Sequence, residues 1–90
     1  MKFRKKPVVI NAWKISELIR DAGRNWKALP REIMEIYESG RIIFAPEYVL
    51  IPTPEGSMIG NFDDWLIMGI KGEFYPCKPD IFAATYEALD

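Results

Sequence analysis

Histidine is absent from this chain of 90 residues, and cysteine occurs once, as Cys77. A single cysteine excludes an intramolecular disulfide, and a zinc site without histidine would need carboxylates together with that one thiolate. The lack of histidine also removes the commonest general base and the Ser-His-Asp and Cys-His arrangements. We therefore expect no metal and no cofactor, and a protein that is not an enzyme.

Long apolar runs and the common functional motifs are missing as well. The cations near the N-terminus precede only the short apolar stretch 7–10, which is too short for the apolar core of a signal peptide or for a membrane span. The chain contains no phosphate-binding loop, nucleophile elbow or metal-ligand spacing. These features predict a cytoplasmic protein with no membrane partner.

The composition is that of a globular protein. Apolar residues make up 49% and charged residues 28% of the chain, and the length suits a single domain over residues 1–90. The net charge of −1 is unevenly distributed, since residues 1–54 contain ten Lys/Arg and six Asp/Glu, a net of +4, and residues 55–90 contain two and seven, a net of −5. This distribution indicates a basic and an acidic face or, if the two halves interleave, scattered solvated charges.

The first half of the chain predicts one strand and two helices. Alternating, uncharged and largely β-branched residues indicate a strand over 7–14 with both faces largely covered. Ser16 as an N-cap and Gly23 as a stop predict a helix near 17–22, with apolar contacts from Leu18, Ile19 and Ala22. A second helix is predicted between Pro30 and Gly40. Its apolar face contains Leu29, Ile33, Ile36 and Tyr37.

From residue 41 the apolar pattern changes to that of a sheet. Turn formers separate short runs that predict antiparallel strands at 42–44, 48–51, 58–59, 65–70 and 73–75. Pro79 predicts the start of a C-terminal helix, from which Ile81, Phe82, Thr85 and Tyr86 would pack on the sheet. The expected fold class is α+β, with a small antiparallel sheet packed against two or three short helices.

The second half contains the candidate reactive groups. Asp63 and Asp64 are adjacent carboxylates that suit either a cation site or a turn, and we favour the turn. Cys77 lies before Lys78 and a helix start, which would lower the pKa of its thiol, but we favour an inert thiol because no histidine base is present. An enzyme would need these groups and Glu73 in one cleft, and nothing in their spacing requires it.

The three tryptophans are a large share for a domain of this size. Trp13 and Trp65 lie in predicted strands and are expected in the core. Trp26 lies in the polar loop 23–27, where an indole between Arg24 and Lys27 can stack on a base or anchor a protein partner. Packing of this indole over the helix ends is the alternative.

The segment Lys2-Phe3-Arg4-Lys5-Lys6 mixes cations with an aromatic ring, which suits contact with phosphate or nucleic acid. Four cations are a small footprint, however, and a pI near 5.5 is unlike that of a dedicated nucleic-acid binder. Nucleic-acid contact therefore remains a less favoured alternative.

Two segments at the ends of the chain have distinctive sequences: residues 64–87 read DWLIMGIKGEFYPCKPDIFAATYE, and the opening residues 2–10 read KFRKKPVVI. Both segments resemble a family of small phage and prophage proteins that has no assigned activity. Two positions depart from the family pattern: Asn11 stands where an acidic residue is expected, and Phe62-Asp63 stand where the family has Pro-Gly. The resemblance implies an accessory phage protein in the cytoplasm of a bacterial host.

Three functions are compatible with these observations, and binding is favoured over catalysis. We favour a non-enzymatic accessory protein that binds a host protein or complex, either to inhibit an antiviral defence or to redirect host machinery. The expected partner-binding residues are Arg4, Lys5, Arg24, Trp26 and Lys27. Exposed sheet edges also favour a homodimer.

The first alternative is a protein that binds a small ligand such as a nucleotide signal. Lys71, Lys78 or Arg4 would then contact phosphate, while Tyr75 or Trp65 would stack on the base. The second alternative is the nucleic-acid contact described above.

Overall fold

The computed structural model describes residues 1–89, in which three α-helices and six strands form an α+β fold. The elements are β1 (Asn11–Lys14), α1 (Ile15–Arg24), a 3-10 helix (Trp26–Ala28), α2 (Arg31–Glu38), β2 (Ile43–Phe44), β3 (Tyr48–Ile51), β4 (Met58–Asn61), β5 (Trp65–Met68), β6 (Phe74–Cys77) and α3 (Pro79–Thr85). The fold class expected from the sequence is confirmed. No helix in the described part of the chain is long and apolar enough to cross a membrane.

The strands form two antiparallel sheets of three strands each, in the orders β1-β5-β6 and β2-β3-β4. The sequence predicted antiparallel pairing but one sheet. Gly69 N–H donates to Glu73 O at 2.8 Å, so these two residues form a hydrogen-bonded pair where β5 ends and β6 begins. Hydrogen-bonded and non-hydrogen-bonded pairs alternate along an antiparallel ladder, so Pro76 lies in a non-hydrogen-bonded pair and its backbone nitrogen points away from β5. Gly60 of β4 lies against Pro76, which has no N–H to donate. β4 and β6 are therefore neighbours without a hydrogen-bonded ladder between them.

One core joins the helices to both sheets. It contains Ile15, Leu18, Leu29, Ile33, Ile36, Ile42, Val49, Ile51, Leu66 and Phe74, with Trp13, Ile19 and Ala22 packed at its margin. The predicted inward contacts of α1, and those of α2 at Leu29, Ile33 and Ile36, are confirmed. Tyr37 is the exception on α2, because its ring is exposed and meets the edge of Phe44 at a centroid distance of 5.8 Å.

The first strand is shorter than the sequence predicts, since it begins at Asn11 and not at residue 7. Its partner β5 ends at Met68, opposite Asn11, and the chain turns away after Met68, so the preceding residues have no strand to pair with. Val8 is exposed, and the side chain of Val9 is 74% exposed. The expectation of two covered faces is therefore wrong for residues 7–9, whereas Ile10 is half-buried.

The first helix begins earlier and ends later than predicted. Ser16 does not cap it, because the helix starts at Ile15 and no side chain caps that end. Ile15 N–H donates instead to Asp64 O at 3.0 Å, so the start of β5 satisfies one of the free N–H groups of the helix end. Gly23 lies inside the helix, which ends one residue later.

The C-terminal half follows the prediction with shifted strand ends. β5 stops at Met68, and β6 continues through Pro76, a residue that an edge strand tolerates. α3 begins at Pro79 as predicted. Phe82 and Tyr86 pack back on the sheet, whereas Ile81 is 55% exposed and Thr85 is also exposed, which corrects the expectation for these two residues.

Candidate binding groove

The outer face of sheet β1-β5-β6 carries a second, smaller apolar layer. Leu66 points into the main core, so the alternation of the strand places Trp65 and Ile67 on the opposite face. α3 covers that face, and Phe82 stacks on Trp65 with ring centroids 4.1 Å apart and planes 9° apart. Ile67, on the same face of β5 as Trp65, is only 1% exposed. Tyr86 extends the aromatic cluster, at 5.2 Å from Phe82.

A groove runs beside this aromatic cluster, between residues 5–12 and residues 85–89. Its larger part has a volume of about 410 Å³ and is lined by β1, Trp65 and Phe82. A second part of about 390 Å³ continues past Val8 and Val9 toward Lys5 and Lys6. We call both parts together the α3 groove. Its lining is mostly apolar, and the two lysines of the lining, Lys5 and Lys6, lie in the second part.

Three lysines surround the α3 groove. Lys5 Nζ lies 5.4 Å from the ring centroid of Tyr86, and Lys14 Nζ lies 5.6 Å from that of Trp65. Lys6 lines the groove, and among residues 1–89 the lining contains one acidic residue, Glu87. Within residues 1–89 the single salt bridge joins Lys78 to Asp64, so none of the three lysines has a carboxylate partner. The groove therefore favours a negatively charged ligand.

Tyr75 supports the aromatic cluster from β6. Burial, a hydrogen bond with the Tyr86 side chain and the nearby charges raise the pKa of Tyr75 to about 12. The phenol therefore stays protonated at neutral pH. Its contact with Tyr86 helps to hold that ring beside the groove.

Cys77 is not activated by its neighbours. Burial raises the pKa of the Cys77 thiol, and the carboxylates of Asp64 and Asp80 raise it further. Lys78, which was considered as an activating cation, instead pairs with Asp64 at 3.6 Å. The environment of Cys77 therefore favours the interpretation as an inert thiol.

Asp63 and Asp64 lie in the turn between β4 and β5, as the turn interpretation requires. Asp64 is buried, and its Oδ2 accepts a hydrogen bond from Asn61 N–H at 2.9 Å. Asp63 is exposed. One carboxylate thus closes the turn and holds Lys78, and the turn forms although Phe62-Asp63 replace the expected Pro-Gly.

The residues considered for a small ligand are only partly brought together. Trp65, Tyr75 and Lys78 lie near the same end of the β5-β6 hairpin, because Trp65 pairs with Cys77. Lys71 lies in the turn at the other end, about 10 Å away along the strands. Phe82 covers one face of Trp65, and the other is the face open to Lys14. A nucleobase would have to displace one of these side chains.

The residues considered for a protein partner lie at two places. Arg4 and Lys5 belong to the exposed segment 1–9, and Lys5 reaches the α3 groove. Arg24 ends α1, and Trp26 follows in the 3-10 helix with 48% of its side chain exposed and Lys27 Nζ at 6.0 Å from its ring. α1 has ten residues, or about 15 Å, so it carries Arg24 and Trp26 away from the groove.

Sequence reasoning missed the groove because its members come from both ends of the chain. Phe82 and Tyr86 were expected to pack on the sheet but not to border a site, and Lys14 was not singled out. The i, i+4 spacing of the two aromatic residues was the one local signal for a shared face. The position of residues 5–12 beside residues 85–89 has no local signal.

Neither a protein-family model, nor a curated protein, nor a solved structure matches this chain. The geometry of the groove is therefore the main indication of function, and the resemblance of the two ends of the chain to phage proteins stays a prediction.

Proposed function

We propose that this chain is a non-enzymatic accessory protein of the phage-encoded class that its ends resemble, and that it acts by binding a host protein in the bacterial cytoplasm. The binding would inhibit an antiviral defence or redirect host machinery. The observation that carries the proposal is the α3 groove, whose apolar lining is bordered by Lys5, Lys6 and Lys14, three cations without a carboxylate partner within residues 1–89. An apolar centre with a charged rim is the usual composition of a protein interface.

A binding role is also supported by the state of the candidate reactive side chains. The pKa values of Tyr75 and Cys77 are both raised, so neither side chain is a ready nucleophile or base at neutral pH. Asp64 is engaged by Asn61 N–H and Lys78 in a turn. Trp65 is covered, which leaves a nucleotide ligand with less support than a protein partner.

The test is affinity purification of the tagged protein from bacterial cells, with proteins and nucleotides in the eluate identified by mass spectrometry. Three forms are compared: the natural chain, the double variant Lys5→Glu/Lys6→Glu, and the control Lys71→Glu, which reverses an exposed charge at the far end of the hairpin. We expect one host protein in stoichiometric amount with the natural chain and the control. We expect its loss with the double variant.

Two results would contradict the proposal. An eluate with a nucleotide and no host protein would assign the chain to the class of small-ligand binders. An eluate with neither, from protein that retains its circular dichroism spectrum, would remove the support for an interaction protein.

A further inference from the structure

β1 is an edge strand, and two of its residues line the α3 groove. β1 pairs with β5 alone in the sheet order β1-β5-β6, and Ile10, Asn11 and Ala12 line the groove. No backbone hydrogen bond outside the helices and strands of the described chain involves residues 1–10. The main chain of this segment is therefore not engaged by another part of the described chain.

The hydrogen-bond register shows which of these main-chain groups are free. Ile15 N–H donates to Asp64 O, so alternation in the antiparallel pair turns the backbone groups of Trp13 and Asn11 toward β5. The N–H and C=O of Ala12 and the N–H of Lys14 then point away from β5. A strand added at this edge would find a donor and an acceptor at Ala12 and a second donor at Lys14.

We propose that the α3 groove binds an extended peptide segment of acidic and apolar residues, which adds as a further strand to the free edge of β1. This inference rests on the proposed function, because it names the chemistry of the partner segment at the same site. Main-chain hydrogen bonds supply part of the affinity in strand addition, and alternate side chains supply the specificity. Here the inward side chains meet the apolar lining, which includes Val8, Val9 and Phe82.

Charge complementarity selects an acidic segment. Lys5, Lys6 and Lys14 border the groove without a carboxylate partner in residues 1–89, against the single acid Glu87. A basic segment would meet three like charges. A strand of alternating acidic and apolar residues places its carboxylates on one face and its apolar groups on the other.

A single-stranded nucleic acid is also an anion, but it fits the groove less well. Binding of single strands depends on bases stacked on open aromatic faces. Phe82 already stacks on Trp65 and packs against Tyr86. Lys14 lies over the Trp65 ring and Lys5 over the Tyr86 ring, so neither ring has an open face for a base. The cations and the free edge remain available to a peptide.

The first experiment measures fluorescence anisotropy with three labelled probes. They are an alternating Glu-Val peptide of about ten residues, long enough to span β1 and the segment before it, the same peptide with Lys in place of Glu, and oligodeoxythymidylate. We expect the acidic peptide to bind roughly tenfold or more tightly than the basic one, and its binding to weaken with added salt. Lys5→Glu/Lys6→Glu should weaken it, and Lys71→Glu should not. Equal affinity for the two peptides, or binding of the oligonucleotide alone, would overturn the inference.

The second experiment tests strand addition with the protein unchanged. Two Glu-Val peptides are prepared, one N-methylated on every Glu and the other on every Val. Each keeps its side chains but loses the main-chain donors on one edge, and the two peptides, or phases, differ in which edge is blocked. The peptide methylated on the edge that faces β1 should bind roughly tenfold more weakly than the unmodified peptide, because it loses main-chain hydrogen bonds to Ala12 and Lys14. Hydrogen exchange should slow at the amides of Ala12 and Lys14 when the unmodified peptide binds. Equal binding of both phases, or unchanged exchange at these amides, would contradict strand addition.

The two proposals fail in different ways. A host protein that is captured through Lys5 and Lys6, combined with no preference for the acidic peptide, would leave the proposed function standing and remove the strand-addition inference. An acidic peptide that binds at the β1 edge, combined with no captured host protein, would do the reverse.

Discussion

Gly60 lies where β4 meets both the main core and β6. A Cβ atom at this position would stand 2.5 Å from Ile15 Cδ1, 3.1 Å from Val49 Cγ2 and 3.3 Å from Pro76 Cβ. These neighbours are buried or packed between the two sheets, so they have little room to move. A single methyl group is therefore sufficient to disturb the junction.

We expect Gly60→Ala to lower the free energy of unfolding by about 1–3 kcal/mol, the usual cost of overpacking. Gly23→Ala is the matched control, because Gly23 lies in α1 and a Cβ there would meet nothing within 4 Å. The control should stabilise by about 0.5–1 kcal/mol. Urea denaturation of the two variants measures both values, and equal stability of the variants would contradict the packing argument.

The raised pKa of Tyr75 predicts that the free energy of unfolding falls with pH in the alkaline range. Its pKa is about 12 in the folded chain against 10.0 for an ordinary tyrosine, so the folded state binds the phenolic proton more tightly than the unfolded state. The stabilisation is complete below pH 10 and is lost as the pH rises from 10 toward 12. Phe in place of Tyr75 should remove this part of the pH dependence.

Absorbance titration of the phenolate near 295 nm, combined with thermal melts between about pH 9 and pH 12, measures this effect. The natural chain should show a late-titrating tyrosine that Tyr75→Phe lacks. Identical high-pH melting profiles for the natural chain and this variant would show that Tyr75 does not contribute this pH dependence.

Among the elements, α3 depends for its stability on the aromatic contact between Phe82 and Trp65, because the helix is too short to be stable alone. The helix has seven residues, too few to be stable in isolation, and Phe82 stacks on Trp65 at 4.1 Å. Pro79 at its start follows the common pattern for a first helical turn. The sequence therefore predicts where α3 begins, and the sheet beneath it provides the stability.

Phe82→Ala should destabilise the fold by about 2–4 kcal/mol and weaken binding at the α3 groove, because it removes the stack on Trp65. Ile81→Ala is the neighbouring control, with a side chain that is 55% exposed and an expected change within about 0.5 kcal/mol. Chemical denaturation provides the comparison. A cost for Ile81→Ala equal to that for Phe82→Ala would indicate that α3 packs through a different face.

For the whole molecule, the outer face of sheet β2-β3-β4 bears on the expected homodimer. Ile43 pairs with Leu50, and Leu50 with Ile59, so the three side chains form a row across the sheet. Ile43 is 50% and Ile59 56% exposed. An exposed apolar row of this kind is a typical contact surface between copies, and it leaves the α3 groove free.

We expect light scattering at rising concentration to approach the mass of two chains, and Ile59→Lys to return it to the mass of one. The substitution places a cation in the exposed row without touching the core, so circular dichroism should be unchanged. A natural chain that stays monomeric at high concentration would rule out the homodimer.

The sequence by itself determined the elements whose signals are local. Pro30 and Pro79 at helix starts, the helical spacing of Leu29, Ile33 and Ile36, and the change to short apolar runs after residue 41 all predict what the structure contains. The polar neighbours of Trp26 left an exposed and a packed indole both open, and the structure shows the ring 48% exposed. These features depend on backbone preferences and on the period of burial, which a short stretch of chain expresses alone.

Only the tertiary structure decided where the strands end and how the groove forms. β1 starts at Asn11 because its partner β5 ends opposite that residue, and α1 needs no cap because Asp64 O accepts from Ile15 N–H. The α3 groove exists because residues 5–12 and 85–89 meet across the sheet. Each of these outcomes depends on contact with a segment that is distant along the chain, and a local sequence pattern does not indicate which distant segment will lie beside it.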